Sequence, residues 1–235
     1  MRVLALYDIH GNVDALEAVL RDAPEPDVIV VGGDAVPGPF AARTLDLLGG
    51  ARWVRGNGER EVAAAVGAPA PAPDDLAAVT ASRSAADLGD ERARALGELP
   101  LTLEIDGVLY CHATPRNDAE MLTRISPDER YGDALASVDA AIVVAGHTHQ
   151  THDRMVGAVR FINAGSVGLP YEGDGAARWL WVADGVPELR STAYDAAAAG
   201  RRMLAAGWPD ERSITASLIE PVPAIEVTRF FEELA

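Results

Sequence analysis

Arg2-Val3-Leu4-Ala5-Leu6-Tyr7-Asp8-Ile9-His10-Gly11-Asn12, running on into Val13 to Asp22, is the stretch that decides how this chain folds. A short, β-prone apolar run stops at two polar, metal-competent side chains, and a glycine and a capping residue follow. Asn12 suits the N-cap of a helix whose Leu16, Val19 and Leu20 would face a sheet. The device repeats: Val28 to Val31 reads as strand, Phe40 to Leu48 as helix and Arg52 to Val54 as strand. Strands alternating with helices predict βαβ units and a mostly parallel sheet. In open sheets of that kind the chemistry lies beyond the strand ends.

Further along, a helix near Glu59 to Val66 leads to the proline-rich connector Gly67 to Pro73, then to a helical region from Asp75 to Leu99. The pattern then changes to hairpins. Leu101 to Ile105 and Val108 to Cys111 flank Asp106-Gly107, Met155-Val156 and Val159 to Ile162 flank Gly157-Ala158, and Arg178 to Leu189 brackets Asp184-Gly185. These predict an antiparallel-rich second sheet packed on the first, with helices outside both. The expected class is α/β with α+β elements, in one domain spanning 1–235. An alanine-rich helix from Ala196 and a last helix near Ile225 to Leu234 place an appendage at about 196–235.

The 235 residues are 49% hydrophobic and carry a formal net charge of −16. That is enough apolar material for one large domain, and the wrong charge for gripping long nucleic acid or an anionic membrane. All 20 cationic side chains are arginine. The absence of lysine removes the Walker lysine of a P-loop, any Schiff-base lysine and any lysine general base. The single cysteine, Cys111, forbids an internal disulfide, and no apolar run approaches membrane-spanning length. A cytoplasmic location is the expectation.

In Ile142-Val143-Val144-Ala145-Gly146-His147-Thr148-His149, two imidazoles leave the end of an apolar run with one residue between them. In extended backbone such residues point to one side. Asp8-Ile9-His10, Gly33-Asp34, Gly56-Asn57 and His112 each follow a similar run. Carboxylate, amide oxygen and neutral imidazole together suit a pair of divalent cations, with Mn expected first and Fe, Zn, Ni or Co as alternatives. Two ions roughly 3.5 to 4 Å apart can clamp a phosphoryl group and generate a bridging hydroxide nucleophile. Asp34, in a glycine-flanked turn, is the expected bridge.

The order Asp-x-His, Gly-Asp, Gly-Asn, His, Gly-His-x-His resembles the calcineurin-like metallophosphoesterase superfamily, and most closely its small single-domain prokaryotic phosphodiesterases. The resemblance runs over about residues 1 to 170 and includes Asp8-Ile9-His10-Gly11-Asn12 and Asn163-Ala164-Gly165-Ser166-Val167-Gly168-Leu169-Pro170. It implies a four-layer αββα sandwich of two mixed sheets flanked by helices. It also implies one ion on Asp8, His10, Asp34 and His149, and a second on Asp34, Asn57, His112 and His147. Asp34, His112 and His147 would serve catalysis through the ions and their bridging hydroxide. Better-studied phosphatases follow the asparagine with a histidine that protonates the leaving group, whereas this chain has Gly58 and then Glu59. Leaving-group protonation is therefore unassigned, with His152, Glu59 and a metal-bound water as candidates.

The expected activity is hydrolysis of a small phosphate ester, a diester favoured over a monoester. The rivals are an interaction scaffold on the same fold and a nucleotide or dinucleoside polyphosphate hydrolase. Nothing in Trp53, Tyr131, Tyr171 or Trp179 identifies a base platform. Arg116 could neutralise a phosphate or be a solvated loop charge, Asn12 could cap a helix or touch phosphate, and Arg55 and Arg60 could be plain surface charge. Asn163 and Ser166, in a glycine loop after a strand, could be a backbone brace beneath the site or a substrate contact. Cys111 alternates away from His112 and reads as core. Self-association is left open.

Overall fold

Along β1, Arg2–Leu6, alternate side chains serve two different cores: Val3 and Ala5 face one way and Leu4 and Leu6 the other. All four are buried, so the strand is covered on both faces, as its unbroken apolar character demands. The computed structural model describes residues 1–208 and 214–235.

The first sheet runs β10-β9-β1-β2-β3. β2 (Val28–Val31) pairs parallel with β1 and with β3 (Arg52–Trp53), while β9 (Ala177–Ala183) and β10 (Val186–Thr192) add antiparallel edges. The second sheet runs β4-β5-β6-β8-β7, from β4 (Thr102–Ile105), β5 (Val108–Cys111), β6 (Ile142–Ala145), β8 (Val159–Asn163) and β7 (His152–Val156). β5, β6 and β8 are parallel, with antiparallel strands at both edges. Between the sheets, Val3, Ala5, Tyr7 and Leu180 meet Tyr110, Val144 and Ile162.

Outside the first sheet lies α1 (Val13–Asp22), whose Leu16 and Val19 pack with Leu4, Leu6, Trp179 and Trp181. Outside the second lies α6 (Asp128–Leu135), with Tyr131 and Leu135 on Cys111, Val143 and Phe161. A third helical cluster joins α2 (Ala41–Leu47), α3 (Asn57–Ala65), α4 (Leu76–Leu88) and α5 (Asp90–Gly97) around Val62, Ala85 and Leu96. The four layers are helix, sheet, sheet, helix. α7 (Ala196–Ala205), α8 (Ile214–Ile219) and α9 (Ala224–Leu234) follow. Gln150 ties α9 inward, accepting from Thr228 Oγ1 at 2.7 Å and donating to the Ala224 carbonyl at 2.7 Å.

Four differences from the sequence expectation stand out. The Arg178–Leu189 hairpin joins the first sheet, not the second, because β9 pairs with β1 and presents tryptophans to α1; hairpin chemistry is local and does not choose a sheet. The second sheet is consequently less antiparallel than expected. The region from Asp75 to Leu99 is two helices, broken at Gly89 with φ 79°. α6 and α8 were not foreseen. Among the described residues, no helix is long and apolar enough to cross a membrane.

Candidate metal centre

The chain leaves β1, β2 and β6 through turns that place Asp8 (φ 52°), His10 (48°), Asp34 (52°), His147 (67°) and His149 (56°) in the left-handed region. Each such non-glycine residue costs on the order of 1 to 2 kcal/mol, and aspartate and histidine are among the types that tolerate it best. Hydrogen bonds lock the geometry. The amides of Asp8 and His10 donate to the carbonyls of Gly33 (3.1 Å) and Asp34 (3.0 Å), so the first two loops brace one another. Ser166 Oγ donates to the Asp8 carbonyl at 2.7 Å, and Asn163 Nδ2 reaches the Gly146 carbonyl and Thr148 Oγ1. The predicted brace is in place.

Two groups of side chains result: Asp8, His10 and His149, and Asp34, His112 and His147. Asp8 Oδ2 accepts from the His147 amide at 2.9 Å, which turns Oδ1 toward the imidazoles at 3.2 Å from His149 Nε2 and 4.0 Å from His10 Nε2. Asp34 divides its two oxygens in the same manner. Oδ1 accepts from the Gly58 amide at 2.8 Å, and Oδ2 lies 3.7 Å from His10 Nε2 and 3.5 Å from His112 Nε2. One carboxylate oxygen thus stands between the two groups.

Every imidazole in the two groups has one nitrogen held by a backbone carbonyl. The Nδ1–H groups of His10, His112 and His149 donate to the carbonyls of Pro37 (3.2 Å), Gly32 (3.0 Å) and Leu169 (2.9 Å). His147 is reversed, with Nε2–H donating to the Ala119 carbonyl at 3.2 Å. In the neutral rings the inner nitrogens are therefore bare acceptors. They face each other at 3.3 Å for His10 Nε2 and His149 Nε2, and 3.2 Å for His112 Nε2 and His147 Nδ1. Lone pairs so opposed repel unless a cation lies between them, and a carbonyl behind each ring is the arrangement that orients metal-bound histidine. Asp8 Oδ1 and Asn57 Oδ1 are buried without a hydrogen-bond partner, an expensive condition. The donor set fits divalent ions.

Electrostatics agree. Burial opposes the charge on Asp8, but His149 and His112 hold its carboxyl below the usual range. Burial likewise opposes charge on Asp34, and His112 and His10 hold that carboxyl well below the usual range. Burial drives the His112 ring down, yet Asp34 and Asp8 outweigh it and raise it to about 10. The His147 ring, half-buried and facing His112, is pushed down to about 4 by desolvation and then by the His112 charge. The carboxylates create a strongly negative field where a cation would sit.

Close approach needs glycine at two positions. A Cβ on Gly56 would lie 2.1 Å from Asp34 Oδ1, and one on Gly58 would lie 2.1 Å from the Val36 carbonyl oxygen. Gly58 stands where a leaving-group acid was absent from the sequence, and there is no room for a side chain there.

Several expected roles are corrected. Asn12 is consumed structurally: Oδ1 accepts from the Ala15 amide, and Nδ2 donates to the Gly168 carbonyl and to Tyr194 Oη, leaving nothing for phosphate. Arg116 is paired with Glu120, Nε to Oε2 at 2.9 Å, and donates to the Asp133 carbonyl, so its charge ties its own loop to α6. His152 lies 2.6 Å from Tyr131 Oη against Phe161, and burial pushes its ring down to about 4. It belongs to a core pair. Glu59 is fully buried and accepts from the amides of Asp34, Ala35, Val36 and Gly56. Burial, then the Asp34 charge, pushes its carboxyl up to about 7, but every direction around it is filled by backbone. Arg55 and Arg60 are more than surface charge, since both clasp Asp118. Cys111 is core, its thiol pushed up by burial.

Two neighbours escaped the sequence reading. Glu61 Oε1 accepts from Asn57 Nδ2 at 3.3 Å, which turns the amide oxygen inward; the i, i+4 spacing on a helix was the available signal. Tyr171 stacks on His149, centroids 5.0 Å apart, and nothing local in the sequence announced it.

A model of the calcineurin-like phosphoesterase superfamily domain matches residues 1–182. A metallophosphoesterase from Sphaerobacter thermophilus is 25% identical with a TM-score of 0.77, covering 94% of this chain and 99% of that one. A hypothetical protein from Pyrococcus horikoshii OT3 shares the fold, at 18% identity and TM-score 0.77, with the same coverage of 94% and 99%. No curated protein matches the chain.

Proposed function

The chain belongs to the calcineurin-like phosphoesterase superfamily, and from that premise we propose that it is a phosphodiesterase using two divalent ions, with manganese the first candidate. The observation that carries this reading is the set of four imidazoles, each pinned to a carbonyl on one side and bare on the other, around two orphaned buried oxygens. Asp8, His10 and His149 would hold one ion and Asn57, His112 and His147 the other, with Asp34 shared. The carboxylate and amide oxygens suit manganese, while the four imidazoles also admit iron, zinc or nickel.

When bound, such ions polarise phosphoryl oxygens and activate water as a nucleophile. The chain's own residues hold the ligands on strand ends, fix the outer nitrogen of each ring on a carbonyl and supply negative charge in a buried rim. None of them stands ready to protonate the leaving group: Gly58 has no side chain, His152 is held by Tyr131, and Glu59 is saturated by amides. Substrates whose leaving group departs without help are favoured accordingly. A diester also brings less negative charge than a monoester dianion into a chain of net charge −16.

The test compares bis-p-nitrophenyl phosphate with p-nitrophenyl phosphate, using protein stripped with chelator and titrated with Mn²⁺. The reading expects activity to return with metal and to be larger on the diester. Bound metal with no turnover on either would favour the scaffold reading, and a larger monoester rate would reverse the substrate class.

A further inference from the structure

One face of α3 leads away from the candidate centre. Asn57 opens the helix, Glu61 follows one turn later and bonds to the Asn57 amide, and Ala64 and Ala65 come next on the same side. At 1.5 Å per residue, Glu61 lies about 6 Å and Ala65 about 12 Å along the axis from Asn57. At that distance the helix forms one wall of a groove of about 360 Å³, closed by Pro69 and Pro71 of the connector and by Ala77 and Ala78 of α4. Glu61 lines this groove and also accepts the hydrogen bond from Asn57, so the groove begins one helical turn from the candidate centre. The volume is within the range of small-molecule sites.

The wall chemistry narrows the occupant. Alanine and proline make most of it aliphatic, with Ser82 its one uncharged polar side chain, and among the described residues no aromatic ring lines it for stacking and no arginine, asparagine or glutamine for reading a base edge. Its only charges are carboxylates, Glu61 and Asp75, which disfavour a second phosphate. We propose that this groove receives an aliphatic ester arm of the substrate, so that the enzyme acts on alkyl phosphodiesters and not on nucleotides. This rests on the phosphodiesterase reading above and names its substrate class.

The experiment uses methyl, butyl and octyl p-nitrophenyl phosphate with the Mn²⁺-loaded protein. In each, water adds to phosphorus and the bond to the aryl oxygen breaks, releasing p-nitrophenolate and the alkyl phosphate, so only the arm changes. kcat/KM should rise with chain length by up to about fourfold per methylene, the equivalent of roughly 0.8 kcal/mol each. Ala64→Phe, at an exposed helical position, and Ala78→Phe should flatten that dependence. In parallel, calorimetry compares binding of octylphosphonate and methylphosphonate, which needs no turnover; the octyl compound should bind more tightly, and Ala64→Phe should remove the difference. Equal kcat/KM for methyl and octyl esters, or a chain-length dependence that survives both variants, would overturn the proposal. If no ester turns over but octylphosphonate shows its Ala64-dependent advantage, the phosphodiesterase reading fails and the aliphatic groove stands.

Discussion

The Gly58 amide donates to Asp34 Oδ1 at 2.8 Å, so the peptide after Asn57 holds the back of the carboxylate whose other oxygen stands between the two histidine groups. A Cβ at Gly58 would meet the Val36 carbonyl at 2.1 Å and Asp34 Oδ1 at 2.9 Å. Gly58→Ala should cost about 1 to 3 kcal/mol of stability through overpacking and weaken metal binding by roughly 10- to 100-fold through the displaced carboxylate. Urea unfolding and Mn²⁺ titration read the two effects. Wild-type values for both would show that this contact does not position Asp34.

Asp34→Asn keeps the shape and removes the charge shared by both groups. Metal stoichiometry by calorimetry should fall below two, and diester turnover should drop on the order of 10³-fold, reflecting several kcal/mol of lost charge stabilisation. A variant that binds two ions and retains wild-type turnover would refute the bridging role.

Glu59→Gln separates a brace from an acid. The carboxylate accepts from four amides, and a glutamine NH₂ must face some of those donors. The expected loss is about 2 to 3 kcal/mol for unsatisfied buried groups, accompanied by weaker metal binding. Unchanged stability together with loss of one limb of the pH–rate profile would instead identify Glu59 as a proton donor.

His152 gives a pH signature. Its ring is depressed by burial from 6.5 to about 4, so the folded state resists a proton that the unfolded chain accepts. That contribution is whole above pH 6.5 and is lost as pH falls toward 4, about 3 kcal/mol in all at 1.36 kcal/mol per unit. The difference in stability between wild type and His152→Phe, measured from pH 7 to 4.5, should shift toward the variant as pH falls. A difference independent of pH would mean that His152 titrates normally.

What could be read from the sequence was whatever depends on near neighbours. Strand runs, the Asp106-Gly107 and Asp184-Gly185 turns with both residues at positive φ, and the five short motifs are local signals, and each lies where a strand ends. The destination of the β9–β10 hairpin was illegible because its partner, β1, is more than 170 residues away. Arg116 and Asn12 were left open between two roles, and His152 was offered as an acid, for a related reason. Their roles are decided by Glu120, Gly168 and Tyr131, and residue type alone does not say whether a polar group has already found its partner.

Five left-handed residues in one small region also restrict which sequences can drift into this site. The backbone there admits aspartate, asparagine, histidine and glycine and penalises nearly everything else. A lineage that lost its ions would therefore still draw from almost the same short alphabet at these positions. An inactive descendant would differ from an active one by single conservative exchanges, such as aspartate to asparagine, and would keep the loops intact. Motif spacing alone would miss that change, while the identity of the oxygen at position 34 would register it.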